Sequence, residues 1–257
     1  MELFDSHAHY NDEKFANDRN EVIKSIYNSG VTSIICAGYN LESSKQAIKL
    51  ANEYEFIYST VGISPNDLTD EWEENLKDIE ELLKQKKKKD KIIAVGEIGL
   101  DYHYDIDKTI QKQAFIKQIE LANIYNLPIV IHTRDAVMDT IEILKENPVN
   151  KKGVFHCCPF NRELIKEALK LGFYISIAGP ITFKNSKNAE EIANLVPLDK
   201  MLIETDSPYL APEPVRGTRN DSRNIKYTAQ KIANLRNISI EDVAKHTYEN
   251  TKKIFEI

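Results

Sequence analysis

The chain has 257 residues, 42% of them hydrophobic and 29% charged, with a formal net charge of −6. That balance fits an ordinary globular protein with room for one large α/β domain or two small ones. It argues against a protein that coats duplex nucleic acid by charge alone. No apolar run reaches the length of a membrane span, and Met1-Glu2 lacks the basic start of a signal peptide. Three cysteines, Cys36, Cys157 and Cys158, do not suit a secreted disulfide framework; buried thiols and a cytoplasmic setting are expected.

The first apolar run, Leu3-Phe4, leads into Asp5-Ser6-His7-Ala8-His9 and then a polar stretch with turn formers. This predicts a short buried strand that ends in His-x-His. Strand side chains alternate, so His7 and His9 share a face and both can reach one ion. An amphipathic stretch from Phe15 to Tyr27 is closed by Ser29-Gly30, and Val31 to Ala37 reads as the second strand. A helix over about 41–54 leads to a strand over 56–61; an acidic helix over about 70–85 leads to one over 92–96. Lys86 to Lys89 reads as the solvated end of that acidic helix. The alternation continues with a helix at 108–125, a strand ending at His132, a helix at 136–145 and a strand ending at His156. Then come a helix at 162–171, a strand at 173–177, a short helix near 188–195 and a strand at 201–204. The tail from about Ser222 holds two or three helices and no strand.

Eight continuous apolar runs, each followed by a helical stretch, suit parallel strands buried on both faces. A single-domain (β/α)₈ barrel over residues 1–257 is the expected architecture, with a doubly wound open sheet as the alternative. No linker, repeat or low-complexity segment divides the chain.

Four of the six histidines stand at strand ends. The fourth strand is followed by Glu97, the eighth by Glu204-Thr205-Asp206. A barrel brings all these ends to one mouth. The donor count suggests two divalent ions (Mg, Mn, Zn, Co or Ni). His7, His9 and a carboxylate would hold one, and His132 and His156 the other, with Glu97 as the bridge. Asp206 closes the ring beside the first strand, where it could ligate the first ion and take a proton from an attacking water. Glu204 is a possible extra ligand or hydrogen-bond partner, and Asp101 a partner for a histidine N–H.

These segments resemble the TatD family of metal-dependent hydrolases, among the amidohydrolase-type barrels. The resemblance is carried in order by Phe4 to His9, Gly96 to Tyr102, Ile131-His132-Thr133-Arg134, Val154 to Cys157 and Glu204 to Tyr209. It implies a divalent-metal phosphodiesterase, often a 3′-5′ exonuclease on DNA, with His7, His9, Glu97, His132, His156 and Asp206 as ligands. Three segments depart from the family pattern, one being the family's Arg-Gly-Lys-Arg-Asn-Glu-Pro, which appears loosely as Arg216 to Ser222. Ser64 stands where a Gly-x-His-Pro segment would carry histidine, and Cys158-Pro159-Phe160 replaces Phe-Ser-Gly. For phosphate contact the candidates are Arg134, Arg216 and Arg219, since arginine offers a planar fork to phosphate oxygens. Tyr102, Tyr104, Tyr209 and Phe160 fall on mouth loops, where rings could stack bases. DNA ends are the expected substrate, with no obligate protein partner. Hydrolysis of a small amide, lactone or phosphoester by the same barrel is the competing reading.

Overall fold

Each apolar run becomes a strand of one parallel sheet in the computed structural model, which describes residues 1–257. The strands are β1 (Leu3–Ala8), β2 (Val31–Cys36), β3 (Ile57–Val61), β4 (Ile92–Asp101), β5 (Ile129–Arg134), β6 (Gly153–Phe155), β7 (Tyr174–Ile177) and β8 (Met201–Ile203). They lie side by side in chain order. Between them run α1 (Arg19–Tyr27), α2 (Leu41–Glu53), α3 (Trp72–Lys84), α4 (Lys108–Ile124), α5 (Val137–Glu146), α6 (Arg162–Lys170) and α7 (Ala189–Leu195). After β8 come α8 (Ile225–Arg236) and α9 (Ile240–Phe255). The fold is a (β/α)₈ barrel, as the alternation predicts. No helix is long and apolar enough to cross a membrane.

The apolar residues divide into two sets because the strands are covered on both faces. The larger set fills the shell between strands and helices. The smaller one lies inside, where Phe4, Ile35, Ile93, Val130, Val154, Tyr174 and Leu202 stack across the barrel and α9 plugs them with Ile254 and Phe255. Removing a large side chain from such a layer costs about 3–5 kcal/mol. Two helix starts are fixed by local chemistry. Asn40 and Ser43 exchange side-chain-to-backbone hydrogen bonds at the head of α2, and Asp107 accepts from two N–H groups at the head of α4.

Two details differ from the sequence reading. The fourth strand does not stop at Gly96 but continues to Asp101, pairing Ile98 to Asp101 with Ile131 to Arg134 of β5. The helix α3 ends at Lys84, so Lys86 to Lys89 lie beyond it, exposed, in a turn leading to β4.

Closure between β8 and β1 is made largely by the residues just past β8. The Asp206 N–H donates to the His7 carbonyl at 2.9 Å, and the His9 N–H to the Ser207 carbonyl at 2.6 Å. The Asp5 carboxylate accepts from the Thr205 N–H at 2.9 Å and from the Thr205 and Ser222 hydroxyls, both at 2.5 Å. Burial pushes Asp5 up to about 7 despite those donors. The aspartate of the opening motif therefore staples the barrel shut.

Candidate metal centre

Local irregularities in two strands aim the site. The register of β1 against β2 slips between Asp5 and Ala8. Phe4 thus packs in the inner layer while His7 and His9 turn into the mouth. In β4 the register against β5 slips between Val95 and Ile98, around Glu97. Glycine is required on both sides of it. A Cβ on Gly96 would sit 2.6 Å from the Val130 Cβ, and one on Gly99 would sit 2.0 Å from the His132 carbonyl oxygen. Asp206 has a left-handed backbone, φ 56°, held by the hydrogen bond to His7 and by one from the Tyr209 N–H to its carbonyl.

Six side chains from five strand ends then meet as two groups. In the first, the Nε2 atoms of His7 and His9 are 3.1 Å apart. Glu97 Oε2 is 3.4 and 3.7 Å from them, and Asp206 Oδ1 is 3.7 and 3.2 Å. In the second, His132 Nδ1 and His156 Nε2 are 3.1 Å apart, with Glu97 Oε1 at 3.0 and 3.3 Å. Donors about 2.1 Å from a common centre stand roughly 3.0–3.4 Å from one another in octahedral or tetrahedral arrangement; six of these eight separations fall in that range and two, at 3.7 Å, exceed it. One oxygen of Glu97 faces each group. Asp206 Oδ1 is buried and makes no well-aligned hydrogen bond, though His9 Nε2 lies 3.2 Å away; a cation would satisfy it.

The far sides of the rings are held as metal-binding imidazoles usually are. His9 Nδ1 meets the Ala37 carbonyl at 3.2 Å, His132 Nε2 meets Asp101 Oδ2 at 2.9 Å, and His156 Nδ1 meets Glu204 Oε1 at 3.3 Å. Glu204 also accepts the Cys157 N–H at 2.6 Å, so it lies behind His156. Its Oε1 is thus a hydrogen-bond partner, while its Oε2 is buried without one. Asn66 in turn donates to Asp101 at 3.1 Å. Burial works to raise Glu97, but His156, His132 and His7 around it bring it well below the usual carboxylate range. Asp206 is lowered in the same sense against burial, chiefly by His9. Burial and the neighbouring His156 lower His7, whereas the facing carboxylates raise His9, His132 and His156 against burial. The donor set is thus anionic carboxylates with imidazoles, suited to a borderline or hard divalent ion. The thiols are not part of it: burial pushes Cys36 up to about 12 and raises Cys157 and Cys158.

The groups open onto a cleft of about 630 Å³. Of the residues proposed from sequence for substrate contact, Arg134, Tyr104 and Tyr209 line it. Arg219 does not. Its guanidinium is clamped by Asp18 at 2.6 and 2.9 Å and by the Lys14 carbonyl. Tyr102 donates to Asp139 at 2.5 Å and packs on the core, and Phe160 likewise packs inward. Arg216 lies on the loop after β8, exposed, beyond the cleft walls. Ser64 is on the wall, but its hydroxyl caps the turn at 65–67, accepting the Asn66 N–H at 3.2 Å. Asp12, Tyr39, Asn66 and Asp67 also line the cleft. The sequence reading did not single them out, since only strand order in the barrel brings their loops to the mouth.

Comparison with known proteins places this arrangement in context. A family model described as TatD related DNase matches residues 4–256. The protein named uncharacterized metal-dependent hydrolase YabD, from Bacillus subtilis strain 168, is 43% identical over 257 residues, covering 99% of both chains. The uncharacterized metal-dependent hydrolase YcfH of Escherichia coli K12 is 34% identical over 262 residues, covering 100% of this chain and 97% of that one. Among solved structures, the TatD homologue YJJV from Escherichia coli K12 superposes with a TM-score of 0.91 at 25% identity, covering 99% of this chain and 98% of the other.

Proposed function

The chain belongs to the TatD-related DNase family of metal-dependent hydrolases, and from that premise we propose that it hydrolyses phosphodiester bonds at DNA ends with two divalent ions. The observation that carries this reading is the division of Glu97, one oxygen toward His7 and His9 and the other toward His132 and His156. His7, His9, Glu97 and Asp206 would hold one ion, and Glu97, His132 and His156 the other. Such a pair lowers the pKa of an attacking water and offsets charge that develops on phosphate oxygens.

The chain's own groups do the rest. Asp206, kept ionised against burial by His9 beside it, would take the proton of the attacking water. Asp101, Glu204 and the Ala37 carbonyl keep three imidazoles in fixed orientation, so little reorganisation accompanies the reaction. Arg134 lines the cleft with a guanidinium that has no carboxylate partner and lies 5.7 Å over the Tyr104 ring. Its fork is free for a non-bridging phosphate oxygen, and the exposed Tyr104 ring can stack a base.

The test is a substrate panel under metal control. Protein stripped with EDTA and reloaded separately with Mg²⁺, Mn²⁺, Co²⁺ or Zn²⁺ is offered end-labelled single- and double-stranded DNA and RNA, with small phosphoesters, lactones and amides alongside. We expect no turnover after chelation, recovery with metal, and the highest kcat/KM on DNA. Undiminished activity in metal-free enzyme would refute the metal role. Turnover confined to the small compounds would refute the nuclease reading.

A further inference from the structure

The chain has seven arginines, and five have their guanidinium committed to an acceptor. Arg19 donates to the Tyr10 and Asp12 carbonyls, and Arg236 to those of Ala193 and Val196. Arg162, Arg219 and Arg223 pair with Glu191, Asp18 and Asp221. Two have no acceptor, Arg134 and Arg216, and both lie over an aromatic ring. Arg134 is 5.7 Å from the centre of Tyr104, and Arg216 is 4.1 Å from that of Phe183. A ring steadies a guanidinium from its face and leaves the in-plane N–H donors unused. In a chain of net charge −6, surplus carboxylates were available to pair both.

The Arg216–Phe183 pair joins the cleft through two loops that are fastened together. The Glu213 N–H donates to the Thr182 hydroxyl at 2.9 Å. Gly179 packs so tightly beneath the other loop that a Cβ there would lie 2.2 Å from the Leu210 carbonyl oxygen. Pro180 and Leu210 line the cleft, so the pair is carried by the two loops that supply this part of the cleft wall. Beside Phe183 in the chain, Lys184 and Lys187 are exposed and enter no ion pair. We propose that Arg216 on Phe183, with Lys184 and Lys187, forms a second phosphate-binding subsite. It takes a backbone phosphate of a single strand whose scissile bond lies in the cleft, so that the enzyme prefers oligonucleotides to dinucleotide-sized esters. This rests on the nuclease reading above.

The subsite is tested on metal-loaded enzyme by comparing Arg216→Ala, Arg216→Lys and the double change Lys184→Ser with Lys187→Ser. KM and kcat are measured on single-stranded DNA of two to sixteen nucleotides. Binding of a hydrolysis-resistant phosphorothioate sixteen-mer is followed by fluorescence anisotropy across a salt series. We expect Arg216→Ala to raise KM and the sixteen-mer Kd roughly 3- to 10-fold, with kcat and dinucleotide kinetics unchanged, and to flatten the log Kd–log salt slope by about 0.7. Arg216→Lys should keep the slope, and the double lysine change should flatten it further. Oligonucleotide turnover by the parent enzyme together with unchanged KM, Kd and slope in Arg216→Ala would overturn the subsite alone. An equal loss on dinucleotide and sixteen-mer would place Arg216 inside the reaction cleft and also overturn it. Failure of the parent enzyme to bind or cleave any oligonucleotide would remove the nuclease reading and the subsite with it.

Discussion

Asp206 and Asp101 are both carboxylates placed against a histidine, yet the structure separates their roles. Asp206 Oδ1 faces His7 and His9 from inside the cluster, 3.7 and 3.2 Å from their Nε2 atoms. Asp101 sits behind His132 and is already shared with Asn66 and the His103 N–H. Asp206→Asn should therefore fold and retain at least one ion while kcat falls by ~10²–10⁴, the usual cost of a lost general base. Asp101→Asn should instead weaken metal affinity by about 10–100-fold, as loss of an orienting partner does, with activity restored by excess metal. Kinetics and metal titration on the two variants check this, and full activity in metal-loaded Asp206→Asn would remove the base assignment. Most candidate donors were legible in the sequence because they stand at or just past strand ends, whereas Glu97 lies within β4 beside its register slip. The sequence offered Arg219 and Tyr102 as candidates alongside Arg134, favoured for its place two residues past His132, and Tyr104. Only the fold shows that Asp18 and Asp139 engage the first two and leave the others facing the cleft.

At the scale of the element, β4 shows what local pattern conceals. Gly96-Glu97-Ile98-Gly99 reads as a strand end because two glycines interrupt the apolar run. In the barrel the same glycines let β4 approach β5 closely enough to go on pairing to Asp101. Gly96→Ala would drive a methyl against Val130, 2.6 Å from its Cβ and 2.9 Å from its carbonyl oxygen. Backbone cannot yield as a flexible side chain can, so we expect a loss of about 1–3 kcal/mol, with Glu97 displaced. Denaturant unfolding and metal titration of the variant would show both effects, whereas parent-like stability would mean that β4 and β5 separate freely. The β1 slip was equally hidden. Alternation correctly puts His7 and His9 together, but it does not say that Phe4 points into the barrel below them.

Over the whole molecule, the alternation of eight apolar runs with helices made the barrel readable. The seam was not, since Asp5, Thr205 and Ser222 are joined only once the barrel closes. The same closure gathers buried charge that needs neutralising. Without metal, protons do so. Burial opposes it, but Asp206 beside His9, Asp101 and Glu97 beside His132, and Glu97 and Glu204 beside His156 raise these imidazoles above the ordinary 6.5. A group with a raised folded pKa adds stability that is fully present below its unfolded value and is lost as pH rises through the folded one. Chelated protein should thus lose Tm as pH rises above the ordinary histidine range, while the metal-loaded form changes less because ions replace those protons. Thermal scans of both forms test it, and a Tm of the chelated form that rises with pH there would contradict it.

The central claim is that Glu97 joins two cations, and metal analysis after exhaustive dialysis tests it most directly. Parent protein loaded with Mn²⁺ or Zn²⁺ should carry two ions per chain, and Glu97→Ala, which removes a donor from both groups, should hold neither tightly. A parent stoichiometry of one, or an undiminished pair of ions in Glu97→Ala, would contradict the account.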